Sequence, residues 1–156
     1  MQFLFFLLLT ASSTFHYGLA LTFRAADISS LAVVEQQGMH YTDNGQTKPF
    51  EDIITSHGAN AARVRVWTAG QYDLSYALAL GKRVKAAGMT LVVDLHFSDT
   101  WADPGHQAIP SGWPTTLSGL NTEIYTYTQN VVQSFANQGT PIDILQVCVR
   151  PFLALG

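Results

Sequence analysis

The stretch Met89-Thr90-Leu91-Val92-Val93-Asp94-Leu95-His96 decides the fold, because it is a short β-branched run that begins after Gly88 and turns polar at its end. Such a run, bounded by a turn residue, predicts a buried β-strand. Similar runs occupy residues 61–67 and 142–147, and each of these also follows a helix-ending glycine. Residues 23–28 form an earlier run of the same kind, so the sequence predicts four strands.

The segments between these strands carry apolar residues at helical spacing. The three stripes consist of Phe50, Ile53, Ile54 and His57; of Leu74, Leu78, Gly81 and Val84; and of Ile124, Tyr127, Val131 and Phe135. We expect Pro49 at the first helical position, Asp73 as an N-cap and Asn121 at the opening of the third helix. The β-α-β-α-β-α-β order demands parallel strands with right-handed crossovers, which is an α/β fold.

Composition excludes several classes of function. The chain has 156 residues, a net charge of -3 and no basic stripe, so nucleic-acid binding is not expected. A single cysteine, Cys148, rules out an internal disulfide framework. The sequence contains no phosphate-cradling glycine motif and no Gly-x-Ser-x-Gly turn.

Residues 1–20 have the features of a secretory signal peptide. A short apolar core, Phe3 to Leu9, is followed by polar residues and then by Gly18-Leu19-Ala20. The apolar run is far shorter than the roughly 18 residues that a membrane anchor needs. We therefore expect a secreted protein with no membrane partner, the alternative being that this run is a buried strand.

Two long strand-to-helix connections indicate which end of the sheet carries the functional site. Residues 29–48 and 97–120 form these connections, whereas the helix-to-strand connections are short. In open α/β sheets and in (β/α)₈ barrels alike, sites form at the carboxyl ends of the strands. We expect the functional residues at that end of the sheet.

Polar residues of one parity share a face of the predicted sheet, because side chains alternate along a strand. Arg63, Arg65 and Trp67 share a face of one strand, Asp94 and His96 share a face of the next, and Asp27 ends the first. Arg63 and Asp94 are interpreted as a buried structural ion pair. Arg65, His96 and Asp27, nearer the strand ends, are interpreted as functional, since buried charges are costly unless paired.

The loop from His96 to His106 combines carboxylates, two histidines and a tryptophan. Three tryptophans are candidates for stacking on sugar faces: Trp67, Trp101 and Trp113. The alternative is that they pack between the loop and the rest of the fold. A metal site from His96, Asp99, Asp103 and His106 fits no known ligand spacing. No metal or other cofactor is therefore predicted.

Four strings carry a more specific signal, namely residues 24–29 (RAADIS), 63–67 (RVRVW), 82–89 (KRVKAAGM) and 94–104 (DLHFSDTWADP). With these strings, residues 21–147 resemble the arabinogalactan endo-β-1,4-galactanases of glycoside hydrolase family 53. The resemblance implies a (β/α)₈ barrel that cleaves the β-1,4-galactan of pectic arabinogalactan with retention of configuration. Complete members are expected to be secreted monomers with a polysaccharide substrate.

The resemblance also assigns site residues by position. Arg65 matches an arginine beside the nucleophile, and His96 matches a histidine near the sugar. The positions implied to line the cleft are Asp27, Asp99, Trp101 and Asp103, and Trp67 is kept with them as a stacking residue.

The catalytic glutamates are missing from the expected positions. A retaining glycosidase needs two carboxylates about 5–5.5 Å apart. The family motif Gly-Asn-Glu is expected directly after Val147, but Arg150 stands at the position of the glutamate, and an arginine cannot donate a proton near neutral pH. We therefore assign no catalytic residue, treat 148–156 as a divergent tail, and expect residues 21–147 to form the inactive N-terminal half of a barrel, with about four parallel strands and three helices.

Three alternatives remain open on the sequence. The chain could be a secreted, non-catalytic galactan-binding protein that uses the surviving half of the cleft. It could belong to another family of retaining glycosidases in the same clan. It could also be an open-sheet domain unrelated to glycosidases.

Overall fold

The computed structural model of the protein describes residues 21–103, 105–106 and 108–147. The predicted signal peptide (1–20) and the divergent tail (148–156), which includes Arg150, lie outside the described residues. In chain order the elements are β1 (Ala25–Asp27), α1 (Leu31–Gln36), β2 (Tyr41–Asp43), β3 (Gln46–Lys48), α2 (Phe50–Ser56), β4 (Ala61–Trp67), α3 (Leu74–Ala86), β5 (Thr90–His96), α4 (Leu117–Asn137) and β6 (Ile144–Val147).

The main sheet has four strands in the order β1-β4-β5-β6, and every pair in it is parallel. The four predicted strands and the three predicted helices (α2, α3 and α4) are therefore confirmed. The α/β class is confirmed with them, because parallel neighbours joined through helices are the repeating unit of such folds.

Two helix starts differ from the prediction. Pro49 is the N-cap of α2 and not its first residue, since its ψ of 139° is still extended. The longest helix, α4, begins at Leu117 and not near Asn121. Thr116 caps α4 by accepting a hydrogen bond from the Gly119 backbone N–H at 3.2 Å, which adds a full turn before Asn121.

The connection 29–48, expected as a long loop, contains α1 and the antiparallel hairpin β2–β3. The hairpin turn is Asn44-Gly45, in which both residues have positive φ (51° and 76°). This dipeptide favours the type I′ turn that matches the twist of a two-stranded ribbon.

The apolar core lies on one face of the sheet, beneath α3 and α4. The strand residues of the apolar parity are fully buried there, namely Val64, Val66, Leu91, Val93 and Leu95. Helix α3 adds Leu80 and Val84, and α4 adds Val131 and Phe135. Among the described residues, no helix combines the length and the apolar character needed to cross a membrane.

The opposite face of the sheet carries the polar parity predicted from the sequence. The parallel register places Asp27 beside Arg63, Arg65 beside Asp94, and Trp67 beside His96. The polar residues of three strands therefore meet on the face away from the apolar core.

Candidate functional site

The carboxyl ends of β4 and β5 gather a cationic and aromatic cluster that we call the mouth cluster, composed of Arg65, Trp67, His96 and Trp101. The guanidinium carbon of Arg65 lies 4.7 Å from the centroid of the Trp101 ring. The Trp101 side of the cluster faces solvent, because this residue is 56% exposed. A flat exposed indole over a guanidinium offers apolar area together with hydrogen-bond donors, a combination suited to a polyhydroxylated ligand.

His96 forms the floor of the mouth cluster. Its ring centroid lies 5.9 Å from that of Trp101 and 6.3 Å from that of Trp67. The Nε2 atom accepts a hydrogen bond from the Ala102 backbone N–H at 3.0 Å, which leaves the ring proton of the neutral form on Nδ1. Through this hydrogen bond the buried His96 holds the loop next to Trp101 in place.

An ion-pair network continues from the mouth cluster into the sheet. Arg63 donates hydrogen bonds to both Asp27 and Asp94, and its Nε donates to Oε1 of Gln146 at 3.1 Å. Arg65 Nη2 lies 3.7 Å from Oδ2 of Asp27. The predicted Arg63–Asp94 pair is thus present, but Asp27 links it to Arg65. The structural pair and the functional residues expected from the sequence therefore form one network.

Burial acts on both carboxylates of this network. For Asp27, burial alone would raise the pKa, but hydrogen bonds from Ser29 and Arg63 hold the pKa below its usual value. Burial raises the pKa of the Asp94 carboxyl, and the Arg63 charge opposes that rise. Oδ1 of Asp94 is buried with no hydrogen-bond partner among the residues that the structure describes.

Asp99 and Asp103 make their contacts within the loops. Oδ1 of Asp99 accepts from the Thr68 hydroxyl and Oδ2 accepts from the Ser111 backbone N–H, both at 2.7 Å. Asp103 pairs with His106 at 3.0 Å. These two predicted cleft residues thus shape the loop around the mouth cluster in this structure.

The other two tryptophans differ in their surroundings. Trp113 packs against Phe97 and Tyr127, with ring centroids 6.1 and 5.6 Å apart, which fits the packing alternative for this residue. Trp67 lies edge-on to Tyr72 at 4.7 Å, and its buried Nε1 has no hydrogen-bond partner within the described part of the chain.

Sequence reasoning missed the support behind Arg65. The Arg65 backbone N–H donates to the Ser29 hydroxyl at 2.9 Å, and the Tyr76 hydroxyl donates to the Ser29 carbonyl at 2.8 Å. These contacts join β4, α3 and the end of β1. No local pattern signals them, because the partners are 36 and 47 residues apart.

The glutamates lie away from the strand ends. Glu35 on α1 and Glu51 on α2 both pair with Arg83, and Glu123 lies on α4. The carboxylates near the mouth cluster are therefore aspartates. Within the described ranges, no group of three or more His, Cys, Asp or Glu side chains is placed to hold a metal ion.

A parallel sheet covered by helices on its apolar face, with polar and aromatic residues at the carboxyl ends of its strands, is the architecture of (β/α)-barrel enzymes. The sequence profile of Glycosyl hydrolase family 53 matches residues 23–149. The chain therefore belongs to this family, and the resemblance predicted from the sequence is confirmed.

Curated relatives carry galactanase names. The probable arabinogalactan endo-beta-1,4-galactanase A of Neosartorya fischeri is 48% identical over 133 residues, a match that covers 82% of this chain and 37% of the relative. The arabinogalactan endo-beta-1,4-galactanase A of Aspergillus niger is also 48% identical, with 82% of this chain and 38% of the relative covered. The chain thus spans a little under two fifths of the length of these relatives.

Solved structures agree with the family. One structure of a fungal beta-1,4-galactanase superimposes with a TM-score of 0.78 at 42% identity, covering 81% of this chain and 39% of its own. The GH53 catalytic domain of Ignisphaera aggregans gives 0.73 at 29% identity, covering 78% and 38%. The four parallel strands therefore correspond to part of a (β/α)₈ barrel.

Proposed function

We propose that this chain forms the N-terminal half of an endo-β-1,4-galactanase cleft and binds β-1,4-galactan, the side chain of pectic arabinogalactan, at the mouth cluster. The observation that carries this function is the exposed Trp101 indole stacked over the Arg65 guanidinium at the carboxyl ends of the strands. The galactanase names of the relatives support the choice of galactan.

In this proposal, residues 21–147 bind galactan and do not supply the groups that cleave it. Retaining hydrolysis needs an acid/base and a nucleophile, two carboxylates about 5–5.5 Å apart. Glu35 and Glu51 both form ion pairs with Arg83 in the helical layer. Neither carboxylate is therefore free to act as a proton donor. We therefore expect residues 21–147 to supply the sugar-binding wall of the cleft and not the catalytic pair.

Titration of the purified chain with β-1,4-galactotetraose in a calorimeter tests this function. Trp101→Ala should weaken binding about 2- to 13-fold, because stacking on an aromatic ring contributes about 0.5–1.5 kcal/mol. Tyr125→Ala is the matched control, since Tyr125 is an aromatic residue 69% exposed on α4. No binding by the unmodified chain, or equal losses in both variants, would contradict galactan binding at the mouth cluster.

Two further arms separate the alternatives. Tighter binding of β-1,4-mannotetraose or xylotetraose than of galactotetraose would favour another retaining glycosidase of the same clan. Release of reducing ends from galactan above the enzyme-free blank would contradict binding without cleavage.

Secretion belongs to the same proposal. It is supported by the apolar core and small residues of the leader 1–20. Expression of the whole chain in a fungal host should yield an extracellular product whose N-terminus is Leu21. An intracellular product that retains Met1 would contradict it.

A further inference from the structure

We propose that Asp94, Arg63 and Asp27 form an alternating-charge chain that positions the Arg65 guanidinium against Trp101. The members alternate in sign from the buried interior of the sheet to the exposed indole. In this role Arg63, Asp94 and Asp27 are positioning residues, and Asp27 acts through Arg65 instead of lining the cleft as a direct sugar contact. This positioning role rests on the proposed function only in the experiment that measures galactan binding.

The inner end of the chain is fixed by one guanidinium. Asp94 is 1% exposed, and Arg63 donates one terminal N–H group to Asp94 and the other to Asp27. The Nε of Arg63 uses Gln146 of β6 as a third acceptor. A planar fork that spans three acceptors in one geometry is a property of arginine that lysine does not share.

The outer end is fixed by one serine. The Ser29 backbone N–H donates to Oδ1 of Asp27 at 2.9 Å, and the Ser29 hydroxyl accepts from the Arg65 backbone N–H at 2.9 Å. Ser29 thus holds the carboxylate and the backbone of Arg65 together. With this support, Oδ2 of Asp27 lies 3.7 Å from Nη2 of Arg65.

The charge of Asp27 keeps the Arg65 guanidinium in place next to the second cation, Arg63. The backbones of Arg63 and Arg65 are roughly 7 Å apart along the same face of β4. Their guanidinium groups approach the same Asp27 oxygen, and two cations so close repel each other. Asp27 lies between their charges and contacts both. The hydrogen bonds from Ser29 and Arg63 hold the pKa of Asp27 below its usual value, so its charge persists at neutral pH. Removal of that charge should let Arg65 move away from Arg63 and leave the Trp101 face.

Nuclear magnetic resonance of arginine side chains measures this positioning without a ligand. Protons above an indole ring are shifted upfield, so the Arg65 side-chain signals, identified by their disappearance in Arg65→Lys, should be upfield in the unmodified chain. Trp101→Ala should remove the shift. Asp27→Asn should remove at least half of it, while the control Asp52→Asn, the same change at an exposed position of α2, should leave it intact.

A second variant guards against a folding defect in Asp27→Asn. Arg63→Lys keeps the charge but loses the planar fork of the guanidinium, and it should also reduce the upfield shift of Arg65. Asp27→Glu keeps the carboxylate, so it should retain more of the shift than Asp27→Asn. Retention of the full Arg65 shift in both Asp27→Asn and Arg63→Lys would overturn the positioning role.

Galactotetraose binding then separates the two proposals. Asp27→Asn should weaken binding about tenfold relative to Asp52→Asn. If the unmodified chain does not bind galactan, the proposed function fails while the Arg65 shift still decides the positioning role. If galactan binds but neither Asp27→Asn nor Arg63→Lys changes the shift or the affinity, the positioning role fails alone.

Discussion

The Arg65 guanidinium and the Trp101 indole come from different elements and meet at 4.7 Å, one at the end of β4 and the other in the loop after β5. The contact joins a residue whose side chain is 14% exposed to one that is 56% exposed. Cation–π contacts of this kind contribute about 0.5–2 kcal/mol. The energy of this contact is therefore large enough to set the orientation of the exposed Trp101 ring.

Arg65→Lys should weaken galactotetraose binding by about 3- to 30-fold, because an ammonium keeps the charge but loses the planar face that stacks on Trp101. Calorimetric titration measures the change. Lys82→Arg is the control, since it exchanges the same two residue types at an exposed position of α3. Equal affinities of Arg65→Lys and the unmodified chain would show that the charge alone suffices.

Asp99→Ala should loosen the loop that carries Trp101. Asp99 accepts from the Ser111 backbone N–H and from the Thr68 hydroxyl, so its loss frees both tethers. Hydrogen exchange at the Ser111 amide should accelerate at least tenfold. Asp103→Ala, which removes another carboxylate of the same loop, should leave that amide unchanged. Equal exchange in both variants would mean that Asp99 does not hold the loop.

Gly81→Ala should destabilise the fold by about 1–3 kcal/mol, since a Cβ at this position would lie 2.6 Å from the Phe135 ring. The close approach of α3 and α4 thus depends on the absent side chain. Urea unfolding measures the loss. In the Phe135→Leu background the same substitution should cost less, because the ring edge is gone. A full loss in both backgrounds would place the cause outside this contact.

Glu51→Gln should destabilise the chain at neutral pH by about 1–2 kcal/mol, because Glu51 is 5% exposed and accepts from Arg83. Burial would raise the pKa of Glu51, but the hydrogen bonds from Arg83 hold it below its usual value. The advantage of the unmodified chain is therefore complete above about pH 4.3 and is lost as the pH falls through the lower folded pKa.

Urea unfolding at pH 7 and at pH 3 tests this dependence on acid. The free energies of unfolding of the unmodified chain and Glu51→Gln should differ at pH 7 and approach each other at pH 3. Glu123→Gln, the same change on α4, is the control and should show no comparable convergence. A difference that persists undiminished at pH 3 would contradict the ion-pair explanation.

Local sequence patterns were sufficient to predict the four strands of the main sheet and three of the helices. The apolar parity of residues 61–67 and 90–96 is buried as alternation requires, and Asp73 caps α3 through the Tyr76 backbone N–H at 3.0 Å. The hairpin was missed although its Asn44-Gly45 turn is a recognisable signal. Its strands are only three residues long and carry little apolar alternation, so the connection resembled a loop.

The site was predictable as a set of residues on one face and not as a set of contacts. Parity put Arg63 and Arg65 on one face, and Asp27 was predicted at the carboxyl end of its strand. That Asp27 bridges both arginines depends on the Ser29 N–H, and that Asp99 faces Ser111 depends on the course of the loop after β5. Neither contact has a sequence spacing that a motif could reveal.

By itself the sequence determined the parallel α/β order, the polar face of the sheet and the family, because these depend on periodicity and on short strings that are local to the chain. Only the tertiary structure decided that Asp94, Arg63, Asp27, Arg65 and Trp101 form one continuous series. Their separations along the chain reach tens of residues, and the register of parallel strands, set by core packing on the opposite face, is what brings their charges within reach of one another.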